Sequence, residues 1–185
     1  MLFDTTLPIT KELISGAEES QRRLMSGHIG THFDVMDKMF PLEYVKRRGV
    51  FFDVSGISGR DIDICDIDGS LIGKDMFAGF CTGFIEEAGY GTARYHHEHP
   101  QLSDALIDLL LSKEISIIGI DFAGVRRHTE HTPKDQYCAD HGVFIVENLC
   151  GLAPLTEAGI CTVYTFPMSY SGMTGLPCRV VAETV

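Results

Sequence analysis

Two imidazoles and a carboxylate stand within seven residues in the run Gly27-His28-Ile29-Gly30-Thr31-His32-Phe33-Asp34. On an α-helix, His28 and His32 would share a face while Asp34 pointed away. Gly30 and Thr31 would also weaken a helix there. On a straight strand all three share a face, yet at ~3.3 Å per residue the outer two would sit roughly 20 Å apart. Ligands of one ion bind at about 2.0–2.2 Å, so their donor atoms must lie a few ångströms from each other. The three converge only if the chain turns, and Gly30 has the freedom to turn. Two imidazoles and one carboxylate suit Zn²⁺, Mn²⁺ or Fe²⁺. Three protein ligands leave positions open for water, as a catalytic metal site requires. The same spacing also arises as surface histidines beside an acid, so spacing alone leaves both readings open.

Such a cluster needs a scaffold, and the apolar pattern predicts one. The runs Val50–Val54, Ile115–Phe122, Val143–Val146, Thr162–Phe166 and Arg179–Ala182 read as strands. The fourth stops at Pro167, which cannot donate to a ladder. Ser103–Leu111 reads as a helix, with Ser103 as N-cap and Leu106, Leu109 and Leu110 at helical spacing. Pro133–His141 reads as a second, opened by Thr132-Pro133 and closed by Gly142. Strands outnumber helices. The expectation is one α/β domain over residues 1–185, with a mixed, barrel-like β core flanked by a few helices.

Composition narrows the function classes. A chain of 185 residues can bury a real core as a single domain. It is 44% hydrophobic and 22% charged, which excludes disorder and coiled coil as the main architecture. A net charge of −11 repels phosphate backbones and anionic lipid, so neither nucleic acid nor membrane is an expected partner. No apolar run is long enough to span a bilayer, and the opening MLFDTTLPITKE lacks signal-peptide regions. A cytoplasmic location is expected, with Cys65, Cys81, Cys138, Cys150, Cys161 and Cys178 reduced and read as small core residues. They form no CxxC pair. No phosphate loop or dinucleotide fingerprint occurs.

The wider text adds a family. The run SGHIGTHFD resembles the SHxGTHxD signature of the metal-dependent cyclases, which include bacterial kynurenine formamidases and isatin hydrolases. The opening Phe3-Asp4-Thr5-Thr6-Leu7-Pro8 is similar to that family's start, Thr82-Gly83-Phe84 to its TGW turn, and His99-Pro100-Gln101-Leu102-Ser103 to its HPxLS. Gly119-Ile120-Asp121 resembles its GID, Gly142–Leu149 its GIxIVENL, and Leu176–Ala182 its ending. The matches are collinear over nearly the whole chain. The resemblance implies a swivelling β/β/α fold, one or two divalent ions (Zn or Mn), a small-molecule substrate, and a homodimer or larger homo-oligomer. It places the first metal on His28, His32 and Asp34, with Glu147 as a further ligand or proton shuttle.

Two positions depart from the family text. Its signature continues to a further His where this chain has Lys38, and a His twelve residues before the Glu is here Asp135. Lys38 could serve as general base if a metal charge lowered its pKa, or stabilise an oxyanion when protonated. Asp135 would be a hard oxygen ligand, moving preference from zinc towards manganese or magnesium. His128 and His131 lie nearby, and either could stand in for the missing imidazole. The expected activity is hydrolysis of a small amide, formamide, lactam or lactone. The alternative is a metal-poor, non-catalytic member of the same fold that binds a small molecule or a protein partner; the Lys38 ammonium could then take the second ion's place and pair with Asp34 or Glu147.

Other candidates are weaker. In His96-His97-Glu98-His99, neighbours on a strand would face opposite ways, so surface or supporting duty is expected, with His99 the one the family text supports. Asp61, Asp63, Asp66, Asp68 and Gly69 do not fit an EF-hand frame and read as a solvated turn. Thr31 and Thr82 are candidates to line a pocket, and Phe33, Phe40 and Phe84 read as core.

Overall fold

The computed structural model describes residues 1–15 and 18–185. Eight strands run in the order β1 (Leu2–Asp4), β2 (His32–Asp34), β3 (Lys46–Asp53), β4 (Phe77–Cys81), β5 (Ile117–Ile120), β6 (Phe144–Glu147), β7 (Cys161–Pro167) and β8 (Gly175–Glu183). Among the described residues six short helices join them: α1 (Lys11–Ser15), α2 (Glu18–Ser26), α3 (Phe84–Ala88), α4 (Ala93–His97), α5 (Asp104–Ser112) and α6 (His131–Asp140). Seven strands close into a mixed barrel in the order β8-β2-β6-β5-β4-β3-β7, and β7 returns to β8. The pairs β3–β4, β4–β5 and β5–β6 are parallel; the other four contacts of the ring are antiparallel. Closure depends on the length of β8. It pairs with β7 through Cys178–Glu183, with β2 through Gly175–Pro177 and with β1 through Val181–Glu183.

The parallel strands are buried on both faces, which is why they read as unbroken apolar runs. Phe51, Phe77, Ile117, Phe144 and Val146 belong to the cluster inside the barrel. Their neighbours Val50, Phe52, Ala78, Phe80, Ile118 and Ile145 face outward to Leu106, Ile107 and Leu110 of α5. Gly119 leaves room for this filling, since a Cβ there would come within 2.3 Å of the Phe77 ring.

The five expected strands are present, with ends shifted by a few residues. Two shifts matter for chemistry. Strand β6 extends to Glu147, so that carboxylate belongs to the barrel wall. Helix α6 starts at His131 rather than Pro133, following a 3₁₀ turn over His128–Glu130. Proline is tolerated in a first helical turn, where its missing N–H has no intrahelical partner. The earlier start puts His131 one turn before Asp135 on the same helix. The cysteine expectation also needs correcting in part. Cys81, Cys138, Cys161 and Cys178 are buried, but Cys65 is exposed and Cys150 is half-buried; all six are free thiols. No described helix is long and apolar enough to cross a membrane.

Candidate metal centre

The chain turns at Gly30, whose φ is +64°. This brings His28, ahead of β2, back against the strand. His28 Nδ1 lies 2.9 Å from Asp34 Oδ1 and 3.2 Å from His32 Nε2. His32 Nε2 lies 3.7 Å from the same Asp34 oxygen. All three residues of β2 are buried, and alternation divides them. Phe33 fills the barrel, while His32 and Asp34 share the opposite face. His32 is the register partner of Glu147 on β6, and Glu147 Oε2 lies 3.7 Å from His32 Nε2.

Helix α6 completes the group from above. His131 Nε2 lies 3.1 Å from Asp135 Oδ2 and 3.1 Å from Glu147 Oε1. Two sets of donor atoms, all within 4.8 Å of one another, could each hold a metal ion: His28, His32 and Asp34, and Asp34, His131 and Asp135. Asp34 belongs to both. One oxygen of Asp34 (Oδ2) and one of Asp135 (Oδ1) are buried without a hydrogen-bond partner among the described residues. An orphaned buried carboxylate oxygen is costly unless a cation meets it. The residues present therefore fit a divalent ion.

The electrostatics agree. Burial alone would push the His32 imidazolium down, but Asp34 and Glu147 outweigh it and hold its pKa up at about 9. Burial likewise opposes charge on His131, yet Asp135 and Glu147 raise it to about 12. Burial raises the Asp135 carboxyl to about 7, helped by Asp34 and opposed by His131. Burial also disfavours ionised Asp34, but His32 and His28 overcome it and the net shift is downward. Three carboxylates gathered in one buried place call for positive charge, which metal ions provide.

Supporting groups fix the orientation of these candidate ligands. The His32 Nδ1–H donates to the Gly30 carbonyl at 2.8 Å, leaving Nε2 as the donor atom for a metal. Asn148 Nδ2 donates to the same carbonyl at 2.8 Å, and Asn148 Oδ1 accepts from the buried Tyr95 hydroxyl at 2.6 Å. Asn148 sits at φ +59°, a conformation that asparagine tolerates better than most residues. Tyr90 Oη accepts the Gly30 N–H at 2.8 Å, and Thr174 Oγ1 lies 2.8 Å from His28 Nε2. The sequence carried no signal for Tyr90, Tyr95 or Thr174, because these contacts join elements far apart in the chain.

A cavity of about 540 Å³ opens over the cluster. His28, His32, Asp34, Asp135 and Glu147 all line it, as do His131, His96, His97, His99 and His128. Lys38 is not brought there. Its ammonium pairs with Asp140 at 2.7 Å and Asp37 at 2.9 Å, partly exposed, and these carboxylates raise its pKa. The backbone past Asp34 explains this: Met36 takes a positive φ of 55°, and the chain leaves the site before residue 38. Of the two imidazoles weighed near Asp135, the structure brings His131 into the cluster, whereas the His128 ring stacks on His97 at 6.2 Å.

Thr31 is buried rather than lining the cavity, its hydroxyl donating to the Asn148 carbonyl at 2.7 Å. Thr82 lines a separate cavity. Phe33 and Phe84 are core, as expected, and Phe40 packs against it. The acidic turn is tied up internally: Asp63 and Asp68 cap 3₁₀ turns, and Asp66 pairs with Arg60 at 2.6 Å.

A family model described as "Putative cyclase" matches residues 3–126. Three solved structures are similar over much or all of the chain. A potential metal-dependent hydrolase with cyclase activity is 22% identical over 100% of this chain and 98% of that one, with a TM-score of 0.75. A predicted metal-dependent hydrolase from Bacillus stearothermophilus is 23% identical over 98% and 97%, with a TM-score of 0.78. An isatin hydrolase bound to the product analogue thioisatinate is 20% identical over 83% and 70%, with a TM-score of 0.70. At these identities the likeness speaks for the fold. No curated protein matches the chain.

Proposed function

The chain belongs to the Cyclase family, and on that premise we propose that it is a metal-dependent hydrolase of a small-molecule amide, formamide, lactam or lactone. One observation carries the reading: the orphaned oxygens of Asp34 and Asp135 sit within the two ligand sets, at the floor of a cavity large enough for a small substrate. His28 Nδ1, His32 Nε2 and an Asp34 oxygen would hold the first ion. Asp34, His131 and Asp135, with Glu147 beside them, would hold a second. The oxygen-rich second set favours manganese or magnesium, while the first suits zinc or manganese.

Bound there, a divalent ion supplies Lewis acidity that polarises a carbonyl and acidifies water. The chain's own groups do the rest. Glu147, beside the second ligand set and outside both of them, is the carboxylate placed to take and return a proton. Asn148 and Tyr95 keep the His32 ring in place. Hydrolysis of an aryl formamide would yield an amine and formate. Lys38 has no direct part in this scheme. The Lys38 ammonium is engaged by Asp37 and Asp140 and does not stand in the second ion's place, which removes one support of the metal-poor alternative.

The test is elemental analysis of protein never exposed to a nickel column, beside His32→Ala, with a screen of formamides, lactams and lactones. About one or two equivalents of zinc or manganese are expected. Both the metal and the hydrolysis should fall together in the variant. A protein that carries no ion and takes up none on addition overturns the reading.

A further inference from the structure

His99 lies in the loop between α4 and α5, and its ring is 2% exposed. Its Nδ1–H donates to the Pro100 carbonyl at 2.7 Å, which leaves Nε2 with a lone pair and no proton. Phe122, itself fully buried, stacks against the ring at 5.7 Å between centroids and fixes its plane. No hydrogen-bond donor among the described residues meets Nε2. His99 belongs to neither set of candidate metal ligands among those residues, yet it lines the same cavity as His32, Asp135 and Glu147. An unpartnered acceptor on the wall of this cavity, outside both ligand sets, is placed to meet the substrate.

Taking the hydrolase reading as its premise, we propose that His99 Nε2 accepts a hydrogen bond from the N–H of the substrate, and so selects N–H amides and lactams over esters and N-alkylated amides. An ester oxygen or an alkylated nitrogen has no proton to offer. Once such a substrate has displaced the cavity water, the imidazole lone pair is left without a donor, and the cost of that falls on the wrong substrate alone. Burial, with the nearby cations His131 and Arg127, lowers the His99 pKa to about 4, so the ring is neutral at pH 7 and holds a proton poorly. That suits a fixed acceptor better than a proton carrier. The ring also walls a second cavity of about 510 Å³, shared with Thr82, Gln101 and Arg127.

The test uses metal-loaded wild type, His99→Phe and His99→Gln with three probes: formanilide, N-methylformanilide and phenyl formate. Comparing each variant with wild type on the same probe cancels the probe's intrinsic reactivity. His99→Phe should lower kcat/KM for formanilide about 10- to 100-fold. It should change the other two by less than about threefold. His99→Gln, whose Oε1 can still accept, should recover part of the formanilide rate. Metal content, measured on each protein, should not change. An equal effect of His99→Phe on all three probes, or none on formanilide, overturns the assignment. If metal-bound wild type cleaves none of them, the hydrolase reading has failed for these substrates, and calorimetric binding of formanilide against N-methylformanilide decides separately. A preference for the N–H form that His99→Phe abolishes supports the acceptor; equal binding, or no binding, rejects it.

Discussion

His32 and Glu147 are register partners on antiparallel strands β2 and β6, and their side chains approach to 3.7 Å on the outer face of the barrel wall. Each is next to a residue that fills the barrel, Phe33 and Val146. A one-residue slip in this pairing would turn the imidazole inward and a phenyl ring outward. The packing of the core therefore holds the candidate ligand face in register, and α6 lays His131 and Asp135 over the same face.

This arrangement predicts that a divalent cation stabilises the fold. A ligand present at about 100 times its Kd stabilises the native state by ~2.7 kcal/mol. For a chain of this size that corresponds to about 5–10 °C in Tm. Adding EDTA to metal-loaded protein should lower the Tm by this amount, and excess manganese or zinc should restore it. Asp34→Asn, which removes the carboxylate common to both ligand sets, should abolish the response. A Tm indifferent to chelator in metal-replete protein would contradict it.

Lys38→Ala should leave both metal content and hydrolysis intact. The side chain is partly exposed and paired with Asp37 and Asp140, and exposed pairs of this kind contribute little. The expected change in kcat/KM is less than about threefold. A loss of two orders of magnitude would mean that Lys38 reaches the cavity during turnover.

His99 gives a pH signature of stability. Its folded pKa is lowered from 6.5 to about 4 by burial and neighbouring cations. Above pH 6.5 the ring is neutral both folded and unfolded, and contributes no pH dependence. Between about pH 6.5 and 4 only the unfolded chain takes up the proton, so stability falls as pH falls. Asp121 works in the opposite sense: burial raises its pKa from 3.8 to about 6, so its contribution weakens as pH rises through that window. The two slopes overlap in the wild type. The difference in unfolding free energy between wild type and His99→Phe isolates the histidine. It should rise from pH 4 to 6.5 by up to about 3 kcal/mol and stay flat above 7. Denaturant melts at five or six pH values would measure it, and a flat difference throughout would show that the buried ring titrates normally.

Much of the candidate site is legible in the sequence. His28, His32 and Asp34 lie within one turn of chain, and their convergence needs only the positive φ that glycine allows at residue 30. The apolar runs likewise announced the β core, because parallel strands buried on both faces carry no polar alternation. Glu147 was reached through the text around it, and the structure puts it inside a strand, 4% exposed. The rest depended on contacts between distant segments. Whether residue 38 faces the candidate ligand cluster or the solvent turns on the backbone at Met36, and only the start of α6 at His131 separates the two rival imidazoles near Asp135. Local spacing determines which atoms a short turn can gather. Closure of the barrel and the docking of α6 decide which distant carboxylates, imidazoles and hydroxyls meet them, because those placements follow from core packing and strand register.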